Sequence, residues 1–417
     1  MNVRNVIINA VKFSLVEPAR QEPTVLLLAL STILITLGQS AAVPIIPLLV
    51  QSYGMAAAMV GVAVSAFALA RSIANIPSGF LSRQYGTRSA LVLGAVLAAS
   101  GHLMVGLTSS YQALTASRFI AGLGSALYIT AAVIFVAEVS TPNNRARLMG
   151  IYHTSFLIGI ALGPSLGGFI AEVFGLRAPF LVVSALSLLA GIWSWTRIPP
   201  HVGRSVVRRD AADPSIMSAS RERPKWLEIF LTPGFLAVSF ICMGVFLTRA
   251  SSLFNLLPLL AQERFGLSVG GIGLILTAPS AVNLTFQPFV GALADRFGRK
   301  ILIVPAVFLF ALSLVICAIS RSPWLFLIGL ACYGIGQSIE APSSNSYAAD
   351  ILIPEFRAVG LGIFRTFGDI GQVIGGPLLG FVADQTKISW ALFINAGIIV
   401  IPGLFFLCFA KETLHRN

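Results

Sequence analysis

Charged residues are scarce in this sequence, at 11% of its 417 residues, whereas they make up about 25% of an ordinary soluble domain. Hydrophobic residues account for 56%, and the mean hydropathy is +0.87. Such a chain lacks the polar residues that a water-exposed surface needs, which predicts a membrane protein. Its long apolar runs lack the alternation of a β-barrel, so we expect it to cross the bilayer as helices.

Cysteine and histidine are also rare, with four of each. The cysteines have no CxxC spacing, and the histidines form no Ser/His/Asp or metal-ligand grouping. These absences argue against a zinc site, a disulfide framework and a membrane enzyme. We therefore expect no metal, no cofactor and no catalytic residues.

Acidic residues are outnumbered by basic ones, 16 to 28, which gives a formal net charge of +12. The basic residues concentrate in the loops that share a side with both termini, and the other side holds only Arg177, Arg264, Arg321 and Lys387. This asymmetry predicts a multi-pass protein of the cell inner membrane with both termini in the cytoplasm. No compact basic and aromatic face remains, so a nucleic-acid partner is not expected.

Hydropathy predicts twelve membrane spans. They lie near residues 24–50, 57–81, 89–108, 112–138, 147–172, 178–197, 233–262, 270–293, 301–320, 323–348, 357–383 and 389–410. Residues 1–22 lack the order of a signal peptide and are expected to lie at the interface as an amphipathic segment. The remaining predicted domains are a bundle at 23–198, a cytoplasmic linker at 199–228, a second bundle at 229–410 and a cytoplasmic tail at 411–417.

The two halves of the sequence repeat short patterns at a nearly constant offset of 211 to 213 residues. The matching pairs are 47–51 with 258–262, Gly79 with Gly291, 122–124 with 334–336, and Gly163-Pro164 with Gly376-Pro377. A constant offset across several spans indicates duplication of a helical unit. The predicted fold is therefore all-α, with twelve transmembrane helices in two pseudo-symmetric six-helix bundles.

The loop after span 8 carries the most specific motif, GALADRFGRK at residues 291–300. It resembles the loop signature GxLaDrxGrk of the major facilitator superfamily, which has the same two-bundle fold. We expect Gly291 to allow close helix approach and Asp295 to accept hydrogen bonds from a neighbouring helix start. The other motif positions that we expect to act in gating are Arg296, Gly298 and Arg299.

The first-half copy of this loop, GFLSRQYGTR at 79–88, keeps Gly79 and Gly86 but has Arg83 where the superfamily has aspartate. The resemblance implies that this aspartate helps to latch the two halves on the cytoplasmic side. Because a helix N-terminus repels a cation, the latch needs another form here. We expect Arg83 to pair with Glu355 or Asp350, just before span 11.

Three further stretches are similar to the twelve-helix drug:proton antiporters of this superfamily. They are Leu37-Gly38 with Pro44 and Pro47 in span 1, RFIAGLG at 118–124 in span 4, and GIALGPSLGG at 159–168 in span 5. The resemblance implies a part in proton transfer for Arg118. It also implies a conformational role for Gly159, Gly163, Pro164, Gly167 and Gly168, which are mirrored in span 11 by Gly376 and Pro377.

The glycines of span 5 have a helical spacing. Gly159, Gly163 and Gly167 follow each other at i, i+4 and i+8 and form a small-residue stripe on one helix face. We expect span 8 to pack closely on this stripe across the interface between the halves. Pro164 removes one backbone hydrogen bond and is expected to bend the helix.

Proton coupling requires a titratable group inside the membrane, and among the acidic residues only Glu340 and Asp369 lie at depth. A carboxylate in hydrocarbon is costly unless it is paired or protonated. Asp369 has Arg365 one helical turn before it, so it is either a structural ion pair or a coupling residue. Glu340 has no cation at i±3 or i±4, and we favour it as the principal proton site.

The basic residues at depth are Arg71, Arg118, Arg249 and Arg365. Four arginines against two carboxylates argue against a strongly cationic substrate, so we expect a neutral, lipophilic or anionic small molecule. Arg249 either attracts an anion or pairs with Asp369 or Glu340. The other expected cavity residues, each of which could instead bond between helices, are Gln39, Tyr128, Asn255, Asn283 and Gln287.

These observations predict a monomeric antiporter that exports drugs or other lipophilic molecules by alternating access, with the proton gradient as its energy source. The alternatives are a uniporter or importer of organic anions, an amphiphile flippase and, in another class, a membrane sensor that does not transport. Proton flux that depends on substrate separates the antiporter from the others.

Overall fold

The computed structural model describes residues 23–141, 144–199, 232–353 and 357–413. The predicted interfacial segment 1–22, nearly all of the linker 199–228 and Glu355 lie outside these ranges. Helices make up almost all of the described chain, and no β-strand occurs in it, which confirms the all-α class.

The first half contains seven helices in its described residues. They are α1 (Pro23–Ala41), α2 (Ile45–Ser52), α3 (Ala57–Tyr85), α4 (Thr87–Leu107), α5 (Tyr111–Val139), α6 (Arg145–Phe174) and α7 (Ala178–Arg197). The second half is interrupted once by a π-helical segment, Arg249–Leu256. Its α-helices are α8 (Pro233–Thr248), α9 (Leu257–Phe265), α10 (Val269–Phe297), α11 (Arg299–Ile319), α12 (Pro323–Ile351), α13 (Arg357–Gln385) and α14 (Ile388–Phe409).

Every predicted span coincides with helix in the structure. Within the described residues, 11 segments are long and apolar enough to cross a membrane, the seventh of them running through the π-helical segment from Pro233 to Phe265. Helix α13 is not among the 11. It carries Arg365, Asp369 and several glycines, which lower its hydropathy. The first predicted span is divided, because the chain turns at residues 42–44 between α1 and α2.

The two halves pack alike. In the first half α4 packs on α5 and α7, α3 on α5, and α1 on α6. In the second half α11 packs on α12 and α14, α10 on α12, and α8 on α13, which is the same pattern. Corresponding glycines repeat it in detail, since Gly122 lies against the backbone of α3 and Gly334 against that of α10. The packing confirms the two pseudo-symmetric bundles.

The described chain begins and ends on the same side of the molecule, which we call the tail side. There Lys300, at the start of α11, donates a hydrogen bond from Nζ to the carbonyl oxygen of Ala410 after α14 (2.7 Å). At the opposite end, the far side, Ser268 precedes α10 and donates from Oγ to Glu172 at the end of α6 (3.1 Å). Since α6 runs parallel to α1, the start of α1 also lies on the tail side.

Two seams join the halves, α3 against α13 and α6 against α10. In the first seam the backbones of Gly61 and Gly376 touch, and Ser65 donates a hydrogen bond to the carbonyl oxygen of Val373. All these contacts belong to the far-side portion of the helices. Toward the tail side the seam opens, and a Cβ at Gly79 would have no neighbour within 4 Å. The halves are therefore closed on the far side and apart on the tail side.

The glycine stripe of α6 packs within its own half. A Cβ on Gly159 would lie 2.8 Å from the carbonyl oxygen of Ile33, and Gly163 and Gly167 also face α1. The prediction that this stripe packs on span 8 is therefore wrong. Periodicity correctly placed the three glycines on one helix face, but α10 lies against the neighbouring face, where it meets Gly168.

Helix α13 repeats this arrangement in the second half. Gly371 and Gly375 face α8 within the half, while Gly376 and Gly380 face α3 across the seam. The structural offset between the halves is thus 212, since Gly371 occupies the place of Gly159 and Gly380 that of Gly168. The GP dipeptides of the two halves match in sequence at an offset of 213, one residue out of structural register.

Candidate functional site

A cavity of about 330 Å³ lies between the halves. Its polar and charged lining residues are Gln39, Ser40, Arg71, Arg118, His153, Arg249, Ser280, Asn283, Gln287, Gln337, Glu340, Asn345, Arg365 and Gln372. Its aromatic lining residues are Phe67, Phe156, Phe246, Phe254 and Phe364. The far end is sealed by the seams, whereas Arg365 and Asn345 are exposed at the tail side. The cavity therefore opens toward the tail side.

Glu340 lines this cavity from α12 and is only 4% exposed. Tyr333 and Ser344 on the same helix and Cys242 on α8 are its close neighbours. No arginine or lysine nitrogen of the described residues lies within 4.0 Å of its carboxylate. The structure thus holds one buried cavity carboxylate without an ion-pair partner, at the position that the sequence favoured.

Two arginines of the cavity lie against aromatic rings. The Arg118 guanidinium carbon is 4.5 Å from the ring centre of Phe67, and that of Arg249 is 5.1 Å from the ring centre of Phe254. Arg118 is 6% exposed, and its Nε and Nη1 atoms are buried without a hydrogen-bond partner. The Nε atom of Arg249 is also buried without one. Arg249 makes no ion pair within 4.0 Å with Glu340 or Asp369, so the predicted alternative of an internal pair is wrong.

The π-helical segment sets the direction of Arg249 and Phe254, which are its first and sixth residues. A π-helix places such residues one above the other, because its hydrogen bonds run from i to i+5. Asn395 on α14 supports the segment, donating from Nδ2 to Ser251 Oγ (3.1 Å) and to Ser252 Oγ (2.7 Å). These side chains are fully buried, so the network fixes the segment against α14.

Asp369 takes a different place from Glu340. It is half-buried on α13 and is not one of the residues that line the cavity. Its charge interacts with Arg71 on α3 and, to a smaller extent, with Arg365 on its own helix. Neither arginine comes within 4.0 Å. The i, i−4 ion pair with Arg365, one of the two predicted roles of Asp369, is therefore absent, and the charge that acts most strongly on Asp369 is that of Arg71 in the other half.

Three of the predicted polar cavity residues, Gln39, Asn283 and Gln287, line the cavity. Two do not. Tyr128 is fully buried in the core of the first half, and Asn255 donates from Nδ2 to the carbonyl oxygens of Ala57 (3.1 Å) and Gly376 (3.3 Å). Asn255 therefore joins the halves at the far side. The stacking phenylalanines escaped prediction because the sequence contains 29 phenylalanines, and nothing distinguishes the few that face the cavity.

The two loop motifs, after α3 and after α10, form tight turns between helices. Gly86 and Gly298 have φ angles of +88° and +103°, which glycine adopts without strain and other residues rarely do. In the second half, Arg299 Nε pairs with Asp350 Oδ2 at 3.2 Å. Asp350 is therefore engaged by Arg299 within its own half. The predicted pairing of Arg83 with Glu355 or Asp350 involves a side chain outside the described residues and stays a prediction. The side chains of Arg83, Asp295 and Arg296 are outside the described part of the structure, as is Gly291.

Two carboxylates help to close the far side. From the sequence alone, both were assigned only to the ends of predicted spans. Asp384, which ends α13, accepts hydrogen bonds from the first backbone N–H groups of α3, and Glu172, which ends α6, accepts one from Ser268 before α10. The two carboxylates are related by the structural offset of 212. Each therefore ties a helix of one half to the start of a helix in the other.

Two pseudo-symmetric helical halves around a central cavity, open on one side and sealed on the other, are the architecture of a membrane transporter. The profile of the Major Facilitator Superfamily matches residues 28–271 and 240–417. The chain belongs to this superfamily, which confirms the resemblance found in the loop motifs.

Two drug-resistance proteins are among its relatives. Multidrug resistance protein 2 of Bacillus subtilis (strain 168) is 24% identical over 389 residues, covering 92% of this chain and 94% of the relative. Quinolone resistance protein NorA of Staphylococcus aureus (strain MRSA252) is 24% identical over 373 residues, covering 88% and 93%. The inward open conformation of the xylose transporter XylE from E. coli has a similar fold, with a TM-score of 0.74 at 17% identity and coverage of 94% and 97%.

Proposed function

We propose that this protein is a proton-coupled antiporter that exports drugs or other lipophilic small molecules by alternating access. It works as a monomer in the cell inner membrane, with the tail side in the cytoplasm and the proton gradient as its only energy source. It needs no cofactor and performs no covalent chemistry. The drug-resistance names of two relatives and the basic residues of the tail-side loops support this proposal.

The observation that carries the proposal is the position of Glu340. A carboxylate that is 4% exposed, without an ion-pair partner and in contact with the cavity, can exchange a proton through the open tail side. Asp369 is the second candidate for this role, because it is a half-buried carboxylate whose charge interacts with Arg71 of the other half. Arg118 is the third, since it lines the same cavity as Glu340.

The proposed cycle begins in the conformation that the structure shows. Glu340 loses its proton to the cytoplasm and, once ionised, accepts hydrogen bonds from a ligand that enters the cavity. The halves then rock so that the far side opens and the tail side closes. A proton from outside neutralises Glu340, the ligand loses this acceptor, and release follows.

Reconstitution in proteoliposomes tests the proposal. With an imposed proton gradient, a neutral lipophilic dye should move against the proton flow, and adding dye should itself cause a proton flux that an internal pH indicator records. An uncoupler should abolish both. Dye binding without any proton flux would refute antiport and favour a membrane sensor that does not transport. Lipid movement in place of dye movement would indicate a flippase.

Uniport or import of organic anions is the second candidate function. The specific observation in its favour is the charge of the cavity, which is lined by four arginines, Arg71, Arg118, Arg249 and Arg365, but by one carboxylate in the described residues. Uptake of an organic anion that continues without a proton gradient would establish uniport.

A further inference from the structure

We propose that Asn283, Gln287 and Gln337 form a carboxamide wall of the cavity, which binds the amide or lactam group of a neutral ligand. The proposal rests on the proposed function in one respect, that the molecule bound in the cavity is the one transported. It adds the polar group by which that molecule is held and the residues that hold it.

Two of the carboxamides lie next to each other on α10. Asn283 and Gln287 are one helical turn apart and therefore share a helix face, with their Cβ atoms about 5–6 Å from each other. Both residues line the cavity, and both are half-buried, so each keeps surface that a ligand can contact. One amide group of a ligand is thus within reach of both side chains.

Gln337 brings the third carboxamide from α12 to the same depth. Helices α10 and α12 both run from the far side to the tail side, and a Cβ on Gly334 would lie 2.5 Å from the carbonyl oxygen of Pro279. One turn further along both helices, Gln337 is therefore level with Asn283. Gln337 also lines the cavity and is half-buried. The three side chains thus form one continuous wall.

None of the three carboxamides is hydrogen-bonded to another described residue. By contrast, Gln39, the carboxamide that the first half contributes to the described lining, donates from Nε2 to Ser125 Oγ. A ligand that fills the cavity displaces water from the wall, and a polar group left without a partner costs about 1–3 kcal/mol. The ligand must therefore carry hydrogen-bonding groups where it meets this wall.

The chemistry of the wall favours an amide. Each carboxamide offers a carbonyl acceptor and two N–H donors without a net charge, and Glu340, one turn beyond Gln337, adds a further acceptor. An amide or lactam presents a donor and an acceptor side by side, so its carbonyl accepts from the wall while its N–H donates to it. Phe246 and Phe364 provide apolar surface for the rest of the ligand.

Equilibrium binding to the purified protein in detergent tests the wall, with radiolabelled 2-naphthamide and 2-acetylnaphthalene as probes. The two probes have the same shape, but the ketone carries a methyl group in place of the amide nitrogen. Wild-type protein should bind the amide about tenfold more tightly than the ketone, as expected for the hydrogen bonds that the ketone cannot donate. Asn283→Leu, Gln287→Leu and Gln337→Leu should each lower this ratio by about threefold or more, while the affinity for the ketone stays within about threefold.

Thr285→Val is the control variant, because Thr285 lies between two of the carboxamides on α10 but is exposed outside the cavity lining. It should leave both affinities unchanged, and retained binding of the ketone shows that each variant is folded. A third probe, 2-naphthalenemethanol, should bind more weakly than the amide, because one hydroxyl does not meet the wall at two points.

Three results would overturn the proposal. They are equal binding of amide and ketone by the wild-type protein, an amide-to-ketone ratio that none of the three leucine variants lowers, and an alcohol that binds as tightly as the amide. No proton gradient enters this measurement. Proton-coupled export can therefore fail in proteoliposomes while the carboxamide wall stands, and the wall can fail while export stands.

Discussion

Asp384, the acidic residue near the end of α13, accepts a hydrogen bond from the backbone N–H of Ala57 at the start of α3, at 2.8 Å, and its second oxygen accepts one from the N–H of Ala58 at the same distance. The positive end of a helix in one half is thus held by a negative charge in the other. Glu172 repeats the relationship at the start of α10. The two carboxylates thus stabilise the closed far side, together with the backbone contact of Gly61 with Gly376 and the hydrogen bonds of Asn255.

Replacing Asp384 with alanine should open the far side. The substitution removes two charge-assisted hydrogen bonds from the closed state, each worth about 1.5–3 kcal/mol when buried and less at a partly exposed site such as this. We expect the population of the far-side-open state to rise by about tenfold. Spin labels on cysteines placed at Phe80 in α3 and Phe289 in α10, which are 68% and 67% exposed, should report a shorter distance when the tail side closes.

This measurement needs a background in which the four native cysteines are replaced. Glu263→Ala serves as the control, because Glu263 is exposed on the same side and no described hydrogen bond involves it. An unchanged distance distribution in the Asp384→Ala protein would contradict the assignment of this carboxylate to the closed state. Glu172→Ala should act in the same direction and more weakly, since its described hydrogen bond comes from one hydroxyl.

Gly61 and Gly79 lie on the same helix and should respond oppositely to alanine. A Cβ at Gly61 would collide with the backbone of Gly376 across the seam, whereas a Cβ at Gly79 would have no neighbour within 4 Å. Gly61→Ala should therefore prevent full closure of the far side and reduce transport by at least about tenfold. Gly79→Ala should change the stability of this conformation by less than about 0.5 kcal/mol. Thermal unfolding of both variants and transport by the Gly61→Ala protein in proteoliposomes test the prediction, and wild-type stability and transport of the Gly61→Ala protein would refute the seam.

Much of this architecture follows from the sequence because it rests on local patterns. Long apolar segments locate the spans, and the turns at Gly86 and Gly298 need a positive φ that glycine supplies. The repeat predicted two equivalent bundles, and the packing reproduces it. The buried charge of Glu340 was also predictable, because few acidic residues occur at membrane depth and this one has no cation on the neighbouring helical turns.

The contacts between helices were not predictable to the same degree. Periodicity places Gly159 on a face of α6 but does not say which helix covers that face, and the structure puts α1 there. Tyr128 and Asn255 were expected in the cavity because a polar group at depth needs a partner, yet sequence does not distinguish a ligand from a neighbouring helix. Asn255 bonds to two backbone carbonyl oxygens, which no side-chain pattern reveals. Asp384 escaped prediction for the same reason.

Glu340→Gln should uncouple export from the proton gradient. Glutamine keeps the shape and hydrogen-bonding capacity of the side chain but cannot exchange a proton. Proton-driven export of a neutral dye should fall by at least about tenfold, while exchange of labelled for unlabelled dye at equal concentrations continues. Glu263→Gln, which changes an exposed carboxylate, should retain both activities. Gradient-driven export at the wild-type rate by the Glu340→Gln protein would rule out this residue as the proton site and direct attention to Asp369.

Asn395→Ala should destabilise the second half of the protein. The substitution leaves Ser251 and Ser252 without the amide donor and removes the acceptor of Thr248, whose hydroxyl lies 3.2 Å from Asn395 Oδ1. Loss of buried hydrogen bonds with polar groups left behind costs about 1–3 kcal/mol, so thermal unfolding should begin several degrees lower. Thr285→Ala is the control, because Thr285 is exposed, lies outside the cavity lining and donates to the carbonyl oxygen of Ala281 in its own helix. An unchanged unfolding temperature of the Asn395→Ala protein would show that the π-helical segment holds its form without this contact to α14.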